Sequence, residues 1–223
     1  MFDNKFLGLV VTGFFETIYM TLVSAVLAYV IGLPLGVFLS VSRPEGISPR
    51  PLSNRICGAV VNLIRSVPFV ILLVAAIPLT RLITGTSVGS SATIVPLVIA
   101  SFPIVARSVE ASASSVRHGV IEAAQSMGAT NMQIITKVIL PEAVPSLITG
   151  AASSLITVLG FSAMAGVCGG GGLGSIVINY GYYRGETGIM YVLIVVLVLM
   201  VQVIQEAGAR LSVRCDRNAK NSN

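Results

Sequence analysis

The residues of this sequence that could bind a phosphate, a metal ion or a second cysteine do not form a recognisable site. The glycines of residues 169–174 look superficially like a phosphate-binding loop, but no Gly-Lys-Ser or Gly-Lys-Thr follows them. His118 is the only histidine and has no cysteine or aspartate cluster to complete a ligand set. Cys57, Cys168 and Cys215 lie on three separate segments, which indicates neither a disulfide framework nor a zinc site. We therefore predict no cofactor, no metal and no catalytic residue in this chain.

A different pattern, in residues 108–145, predicts two short helices joined by a corner. Residues 120–127 are compatible with a helix, and Gly128 can end that helix as its C′ residue. Residues 130–133, Thr-Asn-Met-Gln, match a capping box that begins a second helix, and Pro141 is expected to stop it. Three side chains of the segment are expected in water: His118, Glu122 and Lys137. An ordinary re-entrant or interfacial helix pair would show the same pattern.

The elements that position this segment are predicted to span a lipid bilayer. The chain is 54% hydrophobic and only 10% charged, whereas a soluble domain of this size carries roughly a quarter charged residues. A bilayer-spanning helix needs about 20 mostly apolar residues. Five stretches can hold one: between Glu16 and Arg43, between Arg55 and Arg81, between Arg81 and Arg107, after Glu142 as one helix and a structured loop up to Arg184, and between Glu186 and Glu206. We predict a single all-α domain over residues 1–223, with five transmembrane helices and the short helix pair between the third and the fourth.

The positions of lysine and arginine predict how these helices are oriented. Five spans place the termini on opposite sides, and basic residues concentrate in cytoplasmic segments. On one side the basic residues are Lys5, Arg81 and Arg184. On the other side they are Arg43, Arg50, Arg55, Arg107, Arg117, Lys137, Arg210, Arg214, Arg217 and Lys220. We expect the N-terminus outside and the C-terminus in the cytoplasm, and we attribute the net charge of +5 to this rule and not to nucleic-acid binding.

The segment between the third and fourth helices resembles the inner-membrane subunits of ABC importers. That family is marked by a motif of fixed spacing. It begins with Glu-Ala-Ala, continues after three residues with Gly and after nine more with Ile, and ends, after one further residue, with Leu-Pro. The matching residues of this chain are Glu122, Ala123, Ala124, Gly128, Val138, Leu140 and Pro141. Val138 in place of isoleucine is the one departure, and it keeps a β-branched apolar side chain.

The resemblance implies that the short helix docks into a cleft of a separate ATP-hydrolysing subunit and carries its movement to the membrane helices. The residue types suit that role: Glu122 offers a carboxylate, Ala123 and Ala124 permit close approach, and Gly128 supplies a corner. The chain would then be a non-catalytic permease of the cell inner membrane. Its implied partners are a second copy of itself, two cytoplasmic ATPase subunits and an extracytoplasmic substrate-binding protein.

The resemblance to the methionine permeases of this family is wider and implies methionine as the substrate. The segments that carry it are residues 62–69, 85–89, 122–141, 160–164 and 171–174. The glycines are the less specific part, because permeases for glycine betaine and related solutes can carry similar ones. Three alternatives stay open: a permease for such a solute, a secondary transporter, and a non-transporting scaffold. A secondary transporter would usually show inverted repeats or paired intramembrane acids, which this sequence lacks.

One face of the predicted fourth helix could line a translocation path. Ser153, Thr157, Gly160 and Met164 recur there at helical spacing. A path of small and thioether side chains suits a small zwitterion, and the flexible Met164 could act as an apolar gate. The alternative is that Gly150, Ser154 and Gly160 only let helices pack closely.

Arg65 is a charged residue in an otherwise apolar predicted span. Such residues usually face a cavity or pair with another polar group, so Arg65 could contact a substrate carboxylate on the path. It could equally extend to the cytoplasmic interface or bond to the carbonyl end of a neighbouring helix. The sequence leaves both interpretations open, with the structural one favoured.

Overall fold

The computed structural model describes residues 4–216, and every regular element in that range is helical, as predicted. The helices are α1 (Asn4–Val41), α2 (Pro51–Ser66), α3 (Phe69–Ala75), α4 (Ile77–Thr84), α5 (Ser90–Ser114), α6 (His118–Ser126), α7 (Asn131–Ile134), α8 (Leu140–Ala165), α9 (Gly172–Ile176) and α10 (Thr187–Cys215). The long helices α1, α5, α8 and α10 supply four candidate membrane spans, and the bent pair α2 and α3 gives a fifth if it counts as one span. The number of spans therefore agrees with the prediction.

The contact between α1 and α5 brings two helix backbones close together. Gly32 and Gly36 lie one turn apart on the face of α1 that meets α5. A Cβ atom on Gly32 would lie 2.9 Å from the carbonyl oxygen of Phe102, and one on Gly36 would collide with the carbonyl oxygen of Ala106. Small residues permit this kind of close packing between membrane helices.

The charge pattern predicted that the first helix begins after Glu16. In the structure, helix α1 begins at Asn4. Glu16 is half-buried, and its Oε2 accepts a hydrogen bond of 2.8 Å from the N–H of Gly172. The Thr17 hydroxyl accepts a second one, of 2.9 Å, from the N–H of Leu173. Both N–H groups belong to the first turn of α9, where backbone donors have no partner within the helix. Glu16 is therefore a cap for a distant helix and not the boundary of a span.

The second predicted transmembrane helix is broken, which is the largest departure from the prediction. Helix α2 ends at Ser66, α3 begins at Phe69, and the two helices are bent by 99°. Pro68 lacks a backbone N–H and disfavours helical conformation in the residue before it. Val67 accordingly has extended backbone angles, φ −80° and ψ 123°. A further break at Ala76 separates α3 from α4, so the stretch predicted as one helix forms three.

The helix that Pro141 was expected to stop continues through it. Helix α7 runs into a π-helical segment, Ile135–Ile139, and directly on into α8. The widened turn ends with the N–H of Leu140 bonded to the carbonyl of Ile135, immediately before the proline. Because the hydrogen-bonding register changes there, the proline ring is accommodated without ending the helix. The predicted second helix of the pair is thus the first part of the long fourth span.

The remaining boundaries differ from the prediction by a few turns. Helix α5 continues past Arg107, and α10 continues past Glu206. Of the predicted loop up to Arg184, residues 169–171 and 183–184 are non-helical, because Gly172 begins α9 and a π-helical segment, Val177–Tyr182, follows it. The basic residues Arg217 and Lys220 lie outside the described residues.

A buried carboxylate joins three parts of the chain at one end of the bundle. Glu110 on α5 is 5% exposed, and its two oxygens accept hydrogen bonds from Arg43 at 2.7 Å and from Arg107 at 2.6 Å. Arg107 also donates to the carbonyl of Gly58 at 3.0 Å and to the side-chain oxygen of Asn62 at 2.8 Å. These bonds connect the segment after α1, helix α5 and helix α2.

Candidate functional site

The corner between α6 and α7 is fixed by its backbone. Gly128 has a φ of +79°, so the left-handed turn predicted there is confirmed. Its N–H bonds to the carbonyl of Gln125 at 2.9 Å, and the N–H of Ala129 bonds to the carbonyl of Ala124 at 3.1 Å. This pair of bonds is the Schellman motif, which satisfies the last carbonyls of a helix.

The predicted capping box begins the next helix directly after this turn. The N–H of Thr130 donates to the side-chain oxygen of Gln133 at 2.9 Å, and the N–H of Gln133 donates to the Thr130 hydroxyl at 3.4 Å. Consecutive Schellman and capping-box motifs leave little freedom at the joint. The angle between α6 and α7 is therefore set locally, by residues 124–133.

The family motif divides into residues that face outward and residues that face the protein. Glu122, Ala123, Gly128 and Pro141 are exposed. Ala124 is 5% exposed and packs with Ile134 and Ile139 against the end of α5. Val138 and Leu140 are half-buried on apolar clusters of the bundle. Of the two alanines expected to permit close approach, only Ala123 is available to a partner, because Ala124 holds α6 on the bundle.

Two methionines beside the corner were missed in the sequence. Met127 is 82% exposed and Met132 is 69% exposed, and they lie on either side of Gly128. Methionine is an unbranched, adaptable apolar side chain that serves well at interaction surfaces. The signal in the sequence was a large apolar residue on each side of the corner glycine, next to the polar residues Ser126 and Asn131. We call the four exposed residues Glu122, Ala123, Met127 and Met132 the docking corner.

A second candidate site is a cavity of about 340 Å³ at the bend between α2 and α3. Arg65 and Thr157, which the sequence suggested on separate grounds, both line it. Phe69 and Phe161 also line it, with their rings stacked 4.5 Å apart between centroids and 6° from parallel. The other lining residues are apolar: Ile64, Val67, Leu72, Ala100 and Ile104.

The guanidinium of Arg65 is exposed in the last turn of α2. It makes no hydrogen bond or ion pair with any residue of the described part of the chain. The bond to a helix carbonyl that the structural interpretation favoured is therefore absent from that part of the chain. Its positive charge is left facing the cavity.

The predicted path face of α8 is partly uncovered in this chain. Ser153 is exposed and Met164 is 50% exposed, while Thr157 and Gly160 are half-buried. A Cβ atom on Gly160 would meet nothing within 4 Å, so this glycine is not required for packing within the chain. Gly150 differs, because a Cβ there would collide with the Ser108 hydroxyl. The packing alternative thus fits Gly150 and does not fit Gly160.

Comparisons with known proteins agree on one kind of molecule. Residues 32–207 match the family model described as binding-protein-dependent transport system inner membrane component. The probable D-methionine transport system permease protein MetI of Vibrio cholerae serotype O1 is 47% identical over 93% of this chain and 92% of that protein. The D-methionine transport system permease protein MetI of Escherichia coli strain K12 is 49% identical over 74% of this chain and 76% of that protein.

Solved structures give the same result for the fold. A chain of the MetNI methionine ABC transporter, in an inward-facing conformation, matches with a TM-score of 0.95 and 46% identity, covering 97% of this chain and 100% of that chain. An amino acid ABC transporter solved with histidines matches with a TM-score of 0.78 at 20% identity over 96% of this chain and 100% of that chain, which shows a shared fold.

Proposed function

The chain belongs to the family of binding-protein-dependent transport system inner membrane components, and we propose that it is the membrane subunit of an ABC importer for methionine. The observation that carries the proposal is the likeness over nearly the whole chain to a methionine ABC transporter, at 46% identity. The candidate spans make it a multi-pass protein of the inner membrane. Its role is to form the translocation path, and ATP hydrolysis belongs to a separate subunit.

We infer an assembly of two copies of this chain with two ATPase subunits and a substrate-binding protein outside. The partly uncovered face of α8, with Ser153 and Met164, supports a path completed by a second copy. The docking corner supports an ATPase contact, because it combines an exposed carboxylate at Glu122 with exposed apolar side chains at Met127 and Met132. Large apolar side chains that water would otherwise surround are typical of a surface that binds another protein.

Methionine uptake is the direct test of the substrate. In vesicles that contain this chain, its ATPase and its binding protein, uptake of labelled methionine is expected to require both ATP and the binding protein. Excess unlabelled methionine should suppress uptake by more than tenfold, whereas equal glycine betaine should leave it unchanged. Suppression by betaine and not by methionine would assign the chain to the other solute.

The orientation is tested by two native cysteines. Cys168, in the turn after α8, and Cys215, at the end of α10, are both exposed. If the N-terminus is outside, a membrane-impermeant maleimide added to intact spheroplasts should label Cys168 and leave Cys215 unlabelled until the membrane is opened. The single variants Cys168→Ser and Cys215→Ser identify which thiol reacted. Labelling of Cys215 from outside would reverse the orientation.

A further inference from the structure

We propose that the cavity at the α2–α3 bend binds the α-carboxylate of the transported amino acid, and that Arg65 is the residue that holds it. The proposal rests on the function proposed above and adds a substrate site within the membrane part of the chain. The α-carboxylate that Arg65 binds is common to all α-amino acids. The apolar walls of the cavity would then select among amino acids by their side chains.

The unpaired charge of Arg65 is the first argument. Arg43 and Arg107 bind Glu110, and Arg210 binds Glu206 at 2.6 Å, whereas Arg65, like Arg55 on the same helix, has no hydrogen-bond or ion-pair partner among the described residues. Arg65 instead faces a cavity lined mainly by apolar side chains. A charge in such surroundings is costly unless an opposite charge or a polar group compensates it. A guanidinium binds a carboxylate through two parallel N–H···O bonds, which is its strongest and most specific pairing.

The other polar groups of the cavity suit the ammonium end of the same ligand. The Thr157 hydroxyl donates to the carbonyl of Ser153 at 2.9 Å, so its lone pairs remain able to accept a bond. Pro68 has no N–H, and the N–H of Val67 bonds to the carbonyl of Ile64 at 3.2 Å. The carbonyls at the end of α2 therefore lack the donors that a continuing helix would supply, and they can accept bonds from an ammonium group.

The apolar walls suit a thioether side chain. Phe69 and Phe161 present a stacked aromatic pair, and sulfur makes favourable contacts with aromatic rings, worth about 0.3–1.5 kcal/mol. The cavity volume of about 340 Å³ falls in the range of pockets that hold small ligands, roughly 300–1,000 Å³. Secondary transporters commonly place substrate sites where a membrane helix is interrupted, and the break between α2 and α3 offers the same kind of feature in this chain.

The test is binding of labelled methionine to the detergent-purified complex of permease and ATPase, without the binding protein. Unlabelled methionine should displace the label, while methioninol, in which an alcohol replaces the carboxylate, should displace it at least tenfold less well. Arg65→Gln should weaken binding by about tenfold or more, since bonds to charged groups contribute about 1.5–3 kcal/mol. The affinity of Arg65→Lys for methionine should lie between those of the unmodified complex and Arg65→Gln. Lysine keeps the positive charge, but its ammonium group cannot form the two parallel bonds of a guanidinium.

The matched control is Arg55→Gln, on the same helix and exposed, but not on the cavity wall. It should bind methionine as the unmodified chain does. If Arg65 only stabilised the end of α2, the Arg65→Gln variant would show lower complex recovery and lower thermal stability. The unmodified complex would then bind methionine and methioninol equally well. The proposal is overturned if the unmodified complex binds no methionine, if methioninol competes equally, or if Arg65→Gln binds normally. The proposed function is tested separately, by methionine uptake through the unmodified complete transporter. If that uptake occurs and the binding test fails, only the Arg65 site is overturned.

Discussion

Replacing Glu110 by glutamine is expected to lower the free energy of unfolding by about 1.5–3 kcal/mol, the contribution of hydrogen bonds to a charged group, because the two arginines are themselves partly exposed to solvent. The variant removes the negative charge between Arg43 and Arg107 and leaves two guanidiniums beside a group that is 5% exposed. It also weakens the link to α2, because Arg107 is positioned by Glu110 while it binds Gly58 and Asn62. The measurement is the thermal unfolding midpoint of the purified chain in detergent.

Glu206→Gln is the matched control for burial. Its pair with Arg210 has the same bond length of 2.6 Å, but the two side chains are 61% and 73% exposed. Exposed pairs contribute about 0.2–1 kcal/mol, so the unfolding midpoint should barely change. If both variants lowered the midpoint by the same small amount, the buried cluster would not hold α1, α2 and α5 together as described.

Gly128→Val is expected to abolish ATP-driven uptake while the membrane part of the chain stays intact. Valine is strongly disfavoured at a φ of +79°, by roughly 1–2 kcal/mol or more, so the backbone should leave the left-handed turn and the Schellman bonds should break. The angle between α6 and α7 then changes, and with it the position of Met127 relative to Met132. Glu122→Lys should have the same result by reversing the charge of that surface. Copurification of the ATPase, stimulation of ATP hydrolysis and uptake are measured side by side.

Gly85→Val is the matched control for Gly128→Val, because it introduces the same backbone strain far from the docking corner in the sequence. Gly85 has a φ of +75°, and like Gly128 it has no atom within 4 Å of a Cβ position, but it lies in the loop after α4. The ATPase should copurify with this variant at the normal yield. Normal uptake by both Gly128→Val and Glu122→Lys would refute the docking corner as the coupling contact.

The features that the sequence predicted well are those decided by neighbouring residues. The turn at Gly128 and the capping box of Thr130 and Gln133 need only a few residues in fixed order, and both are present in the structure. The long apolar stretches predicted the long helices because they contain more consecutive apolar residues than the core of a soluble domain needs. The charges that appeared to bound them were less informative: Glu16 and Arg107 lie inside helices.

The features that were missed depend on residues far apart in the chain. Pro68 follows the end of α2, whereas Pro141 lies inside a continuous helix after a π-helical turn, and no local rule distinguishes the two prolines. Glu16 reaches a backbone donor 156 positions away, and Arg43 reaches a carboxylate 67 positions away. The burial of Ala124 likewise results from packing against α5 and not from its place in the motif.

The uninterrupted helix from Asn131 to Ala165 has a mechanical consequence. At 1.5 Å per residue it is a rod of about 50 Å, with its widened turn close to one end. A tilt of about 5° at the docking corner would displace the far end by roughly 4 Å, about the size of a small side chain. Met164 lies one residue before that far end. In the proposed assembly the ATPase therefore needs to make only a small rotation, and the length of the helix determines how far Met164 moves.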